Sequence, residues 1–174
     1  LTRAERVAVF TDEENTPQAI ARALLERGTD GFFMTVLENL GTEAESVQHL
    51  TLEEAWDKSF APLNLVVFER HYPPEIPPCL GTPDHYFFHE KDLITKQSVR
   101  AAGLALLAVT PEALVWDLGA GCGAVSIEAA HLAFRGRVIA VERQRNRAAM
   151  IRENMRRMGA WTVDAVQGEM PGCL

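Results

Sequence analysis

The run Val115-Trp116-Asp117-Leu118-Gly119-Ala120-Gly121-Cys122-Gly123 is where this sequence speaks most directly of chemistry. An apolar strand leads into alternating glycines and then into helix-forming residues. Glycine allows the backbone to turn sharply and to approach a ligand with no Cβ in the way. The free amides of the turn and of the helix start then face that ligand. The same glycines would also serve a tight strand-to-helix turn that binds nothing. Two acids separate these readings. Asp117 ends the strand just before the glycines, where a carboxylate can orient the loop and attract an ammonium group. Glu142 follows the next apolar run, Val138 to Val141. In nucleotide-binding sheets an acid at that place accepts both ribose hydroxyls. A dinucleotide site prefers Gly-x-Gly-x-x-Gly, with phosphate over the helix N-terminus. Here the glycines stand at 119, 121 and 123, and Asp117 lies where phosphate would be repelled. A cofactor with a ribose and an ammonium but no phosphate fits this pattern, and S-adenosylmethionine has those groups. The third apolar run ends in Gln167-Gly168-Glu169. Glu169 there could meet the adenine edge or simply face solvent.

These residues need elements to hold them. Thr95 to Leu107 reads as a helix with Val99, Leu104 and Leu107 on its apolar side. Leu114 to Leu118 is a strand, Ser126 to Phe134 a helix and Val138 to Val141 a strand. Asn146 to Met158 is a helix with Ala148, Ile151, Met155 and Met158 at helical spacing, stopped by Gly159. Val163 to Gln167 is the third strand. The order β-α-β-α-β is half of a doubly wound parallel sheet. Upstream, Arg6 to Phe10, Phe32 to Leu37 and Leu63 to Phe68 read as strands. Thr16-Pro17 starts a helix that stops at Gly28. Thr51 and Glu54 have capping-box spacing for a short helix through Trp56. Between the two halves, His71 to Pro83 holds five prolines and reads as a semi-rigid linker.

Composition narrows the classes. An apolar share of 47% over 174 residues suits a globular protein. No apolar run approaches the roughly 20 residues of a membrane helix. Cys79, Cys122 and Cys173 are odd in number and far apart. They form neither a disulfide framework nor a metal motif, which suits a reducing cytoplasm. His85 and His89 lack partner ligands, so no metal is expected. The net charge of −7 does not suggest a nucleic-acid binder. It is unevenly spread: residues 1–90 carry a net −10 and residues 91–174 a net +3. Two units with different electrostatic tasks are expected. The first residue is Leu1, not Met, and the last strand lies close to Leu174, so a fragment of a longer protein is expected.

Several segments together carry a family resemblance. These are Gly81-Thr82-Pro83-Asp84, Leu93-Ile94-Thr95-Lys96-Gln97-Ser98-Val99-Arg100, Trp116 to Ala130, and Val141-Glu142-Arg143. They resemble the C-terminal domain of the decarboxylating precorrin-6Y C5,15-methyltransferases of cobalamin biosynthesis. Phe10 to Ala21 and Leu63 to Arg70 are similar to the later part of that family's N-terminal tetrapyrrole-methylase domain. The resemblance implies an α/β architecture: residues 1–70 as the end of a tetrapyrrole-methylase domain, 71–90 as linker, and 91–174 as the first half of a Rossmann-like methyltransferase domain. It implies cofactor contacts from Thr95, the loop Gly119, Ala120, Gly121, Cys122 and Gly123, and Glu142 with Arg143. Gly168-Glu169-Met170-Pro171 stands where the family has Gly-Asp-Ala-Pro, so Glu169 and Met170 depart from the pattern on the adenine side. Thr95 could alternatively be no more than a helix N-cap.

The resemblance also implies the reaction: methylation of two meso carbons of a reduced tetrapyrrole, with loss of carbon dioxide from a ring acetate. Methyl transfer from a sulfonium to an electron-rich carbon depends on positioning more than on a base. The macrocycle can itself accept the electrons left by decarboxylation. Arg143, Arg145, Arg147, Arg152, Arg156 and Arg157 read first as a solvated helix face and second as a site for the substrate's carboxylates. A homo-oligomer is expected, with no nucleic-acid or membrane partner. Two other readings stand beside this one: a methyltransferase for RNA or protein, and a non-catalytic assembly fragment. The acidic first half counts against RNA.

Overall fold

The computed structural model describes residues 4–77 and 79–172. The chain divides between Pro73 and Pro74 into two compact units. In the first, Thr16 caps α1 (Pro17–Glu26) by accepting from the Ala19 amide at 3.3 Å, with Pro17 at the first helical position. Thr51 and Glu54 complete the capping box of α2 (Leu52–Trp56), through bonds of 3.2 and 2.8 Å. The strands are β1 (Arg6–Phe10), β2 (Phe32–Glu38), β3 (Ser46–Thr51) and β4 (Asn64–Arg70). They form one sheet in the order β1-β4-β2-β3, and every pairing is antiparallel. Met34 and Val36 lie opposite Phe68 and Val66, and all four are buried with Ala21, Leu52 and Ala55. The sequence led us to expect three strands here, and β3 is the one missed. Its residues Ser46-Val47-Gln48-His49-Leu50-Thr51 are largely polar because it is an edge strand, paired only with β2 and half solvated.

The second unit has the expected order. Strands β5 (Leu114–Leu118), β6 (Arg137–Glu142) and β7 (Val163–Gln167) pair in parallel as β5-β6-β7. Helices α4 (Ala124–Leu132) and α5 (Arg145–Met158) connect them. Helix α4 starts directly after Gly123, two residues earlier than expected, and is buried on most sides through Ala124, Ser126, Ile127, Glu128, Ala129 and Ala130. Helix α5 buries Ala148, Ile151, Met155 and Met158, and Gly159 ends it with φ +61°. These helices share one core with Val138 and Ala140 of β6.

Two expectations change, for α3 and for the proline-rich stretch, and one face of the second sheet is open. Helix α3 (Gln97–Leu107) does not bury Val99 or Leu107, which are 60% and 61% exposed; it buries Arg100 and Leu104, one helical turn apart. Its apolar residues surround the helix, and the buried stripe is the one with an arginine in it. The outer face of β5 is also open, since Leu114, Trp116 and Leu118 are exposed. Finally, the proline-rich stretch, expected as a semi-rigid linker, is not one beyond Pro73. From Pro74 onward it belongs to the second unit, tied by Arg157 to Glu75 at 3.0 Å and by the Ile76 amide to the Arg157 carbonyl at 3.3 Å.

Candidate cofactor-binding site

The glycine loop rests on the end of β6. The amides of Gly119 and Ala120 both donate to the Val141 carbonyl at 2.9 Å. Glu142 is buried, and its two carboxylate oxygens accept from the Gly121 amide at 3.0 Å and the Gln144 amide at 2.9 Å. The second acid therefore holds the loop as well as ending its strand. A carboxylate has about four lone-pair sites, so Glu142 keeps acceptor capacity for a ligand hydroxyl. Gly123 has φ +83°, and a Cβ there would lie 3.0 Å from Cγ2 of Ile151 on α5. It is a packing glycine. Gly121, at φ +58°, would meet nothing within 4 Å, so the space beside it is open to a ligand.

Asp117 does not orient the loop as expected. Its Oδ2 accepts from the Ser126 hydroxyl at 2.5 Å and ties the end of β5 to the first turn of α4. Burial pushes its carboxyl above the usual range; hydrogen bonds from Ser126 oppose this, and the charge of Glu142 adds to it. Its environment thus favours a proton or a nearby cation. Cys122 is buried, and burial raises its thiol, so it is not a reactive thiolate.

Thr95 is far from the loop in sequence but beside it in space. Asp92, Leu93, Ile94 and Thr95 form one wall of a cleft of about 360 Å³. Gly119, Ala120, Gly121 and Cys122 form the other, with Ala124 and Val125 at the start of α4. That size is within the usual range for small-ligand sites. Thr95 is not the N-cap of α3; Lys96 holds that position and makes no side-chain cap bond. Asp117, Gly123 and Glu142 stand behind the loop and are not part of the cleft lining, and Arg143, Glu169 and Met170 are exposed at the ends of β6 and β7, also outside it. Of the basic run, Arg147, Arg156 and Arg157 pair with Glu90, Glu153 and Glu75, and Arg152 donates to the Ala165 carbonyl.

Four residues outside the sequence-based site hold the cleft together. Arg100 and Glu128 form a fully buried ion pair at 2.8 Å, and Arg100 also reaches Asp84 at 2.7 Å. Asn154 accepts from the Phe88 amide at 2.8 Å and donates to the Phe88 and Cys122 carbonyls at 2.9 and 3.0 Å. A signal was present for two of them. Asn154 lies within the buried stripe Ile151, Met155 and Met158, and Glu128 interrupts Ile127-Ala129-Ala130. A polar residue at a buried helical position needs a partner.

A parallel β-α-β-α-β unit, with a glycine turn after its first strand and an acid ending its second, is a Rossmann-like arrangement. The chain belongs to the precorrin methyltransferase domain family, whose model matches residues 86–174. It is 34% identical to the precorrin-6Y C(5,15)-methyltransferase [decarboxylating] of Mycobacterium tuberculosis (strain CDC 1551 / Oshkosh), over 97% of this chain and 43% of that protein. It is 37% identical to the cobalt-precorrin-6B C(15)-methyltransferase (decarboxylating) of Salmonella typhimurium, over 45% of this chain and 41% of that protein. The crystal structure of precorrin-6y C5,15-methyltransferase from Geobacter metallireducens GS-15 superposes with a TM-score of 0.51 at 39% identity, covering 57% of this chain and 51% of that one. The chain thus spans less than half the length of these two sequence relatives.

Proposed function

We propose that the cleft between Asp92–Thr95 and Gly119–Cys122 binds S-adenosylmethionine, and that the whole protein methylates a precorrin at two meso carbons with decarboxylation of a ring acetate. The observation that carries this reading is that Thr95 and the open side of Gly121 face one cleft, with the carboxylate of Glu142 holding the Gly121 amide beside it. The residues suit the cofactor. Glu142 retains acceptors for the ribose hydroxyls, Asp117 gains a counter-charge in the ammonium, and the Thr95 hydroxyl can donate to the carboxylate. Arg143 is assigned to the cofactor beside Glu142, and Glu169 and Met170 to the adenine side. When bound, the cofactor supplies an electrophilic methyl group on its sulfonium. The chain's part is to hold that group in line with a substrate carbon and exclude water, since such a transfer depends on positioning more than on a base. We assign no general base.

The first unit is read as the later part of a tetrapyrrole-methylase domain responsible for the other methylation. The precorrin is a polycarboxylate, and the exposed Arg143 and Arg145 are available to attract it. Among the described residues no helix is long and apolar enough to cross a membrane. We place the protein in the cytoplasm on its cysteine usage, and we read it as a homo-oligomer. The names of the relatives support the precorrin as substrate over RNA or protein.

Calorimetric titration of the full-length protein with S-adenosylhomocysteine tests the cofactor assignment. Glu142→Ala should weaken binding by about 1.5–3 kcal/mol, the range for hydrogen bonds to charged groups. Unchanged affinity in that variant sinks the assignment.

A further inference from the structure

We propose that Arg100, held by Glu128, is a positioning residue that sets the Thr95 wall of the cleft against the glycine loop. The inference rests on the cofactor reading above. The guanidinium is fully buried, and four hydrogen bonds leave it. One goes to Glu128 on α4. The other three go to the segment that runs over the core before α3: to the Thr82 carbonyl, the Asp84 carboxylate and the Thr95 carbonyl. The other oxygen of Glu128 accepts from the Gly81 amide at 2.9 Å, so both members of the pair grip the same segment. Burial pushes the Asp84 carboxyl up, but the hydrogen bond and charge of Arg100, with the charge of Lys96 and the Gln97 amide, more than offset this and hold it below its usual range. Phe87 lies against the guanidinium, 4.9 Å from its ring centroid.

A buried ion pair of this kind is not a strong source of net stability, because desolvation of the two charges cancels much of their attraction. What a planar, multi-donor group can do better than an apolar side chain is fix several backbone positions at once. Here those positions are the two ends of the segment 82–95, and the second end carries Thr95. With its carbonyl held, Thr95 presents a hydroxyl at the cleft that has no hydrogen-bond partner among the described residues. Between the anchors, Lys91 and Asp92 adopt φ +39° and +62°, a conformation that L-residues hold only when their surroundings impose it. Asn154 ties the same segment, at Phe88, to the loop at Cys122. The two walls are therefore set in register by buried polar groups, and Arg100 governs the end that meets the ligand.

Arg100→Lys tests this in the full-length protein. The ammonium keeps the charge opposite Glu128 but cannot reach the Thr82, Asp84 and Thr95 acceptors together. Three quantities are read: the affinity for S-adenosylhomocysteine, the melting temperature and amide exchange at residues 92–96. We expect roughly tenfold weaker binding, on the scale by which small misplacements degrade a site. Exchange at 92–96 should quicken while exchange at 119–123 stays as in the wild type. A lower melting temperature with affinity within twofold of wild type would show a packing role only and overturn the inference. Should Arg100→Lys not fold, Asp84→Asn decides, since it loosens one anchor of a less buried group. About threefold weaker binding with an unchanged melting temperature supports the inference by the same positioning argument, and unchanged binding overturns it. If the wild type does not bind S-adenosylhomocysteine, the cofactor reading fails, and amide exchange at 92–96 in Arg100→Lys still decides whether Arg100 sets that wall.

Discussion

Asp117 and Thr95 are the residues whose chemistry is most exposed to test. Burial raises the Asp117 carboxyl above its ordinary value of 3.8. A carboxyl whose folded value is raised favours the protonated form in the fold. Its contribution to stability is therefore present below the unfolded value and lost as pH rises through the folded one. A bound ammonium reverses the preference, since it favours the carboxylate. Affinity for S-adenosylhomocysteine should accordingly weaken as pH falls through the raised value of the free protein, over a window that extends down to the lower value of the complex, and Asp117→Asn should remove that acid limb. Titrations across this window check it; an affinity flat with pH in the wild type refutes the ammonium contact. Thr95 makes a sharper case than the sequence allowed. Lys96 is the N-cap of α3, so capping no longer competes as a role for Thr95. Thr95→Val should leave the melting temperature unchanged and cost about 1.5 kcal/mol of ligand affinity, the low end for a hydrogen bond to a charged group. Equal affinity in the two proteins would remove Thr95 from the site.

At the scale of elements, the glycine loop divides its labour. Gly123 packs against Ile151, joining the start of α4 to α5, whereas Gly121 borders the cleft. Gly123→Ala forces a left-handed residue against a side chain at 3.0 Å. It should destabilise by about 1–3 kcal/mol from the backbone strain alone, and more where Ile151 cannot shift. Gly121→Ala meets the strain without the clash, and its methyl enters the space a ligand needs. Thermal melts should rank Gly123→Ala as the less stable, and calorimetry should show the larger proportional loss of binding for Gly121→Ala. The reverse order would mean that the loop's packing and ligand-facing glycines are wrongly assigned. Helix α3 illustrates why an element can be placed yet misoriented. Its length was readable, but with apolar residues on several sides the sequence put Val99 and Leu107 beside Leu104 on the buried face, where the fold buries Arg100 and Leu104.

For the molecule as a whole, the second unit carries an uncovered sheet face. Leu114, Trp116 and Leu118 alternate outward on β5, which is also the edge of the three-stranded sheet. Leu106 and Leu107 of α3 are exposed as well. Parallel strands are ordinarily covered on both faces, and an open apolar edge invites pairing with another chain. The 174-residue chain by itself should therefore self-associate or precipitate. Size-exclusion chromatography with circular dichroism decides this, and a stable monomer with a cooperative melt would contradict it. Replacing Leu114 and Leu118 by Lys should shift the chain toward monomer without altering the core on the helix side of the sheet.

Much of this protein was determined by local sequence. The strand-glycine-helix run, the acids Asp117 and Glu142, the stop at Gly159 and the caps at Thr16 and Thr51 each depend on residues within a few positions of one another. Turn chemistry and apolar periodicity report such local geometry directly. Tertiary structure decided what depends on distant partners. The edge strand β3 has too weak an apolar pattern to declare itself, and it exists because β2 offers it a ladder. The antiparallel order β1-β4-β2-β3 follows from long-range pairing, which alternating strands and helices do not specify. Nothing in the residues next to Arg100 sets it apart from other charged helical residues. Only the fold brings the Thr82 and Thr95 carbonyls, Asp84 and Glu128 around it, and a buried guanidinium needs all of them together before its desolvation is offset.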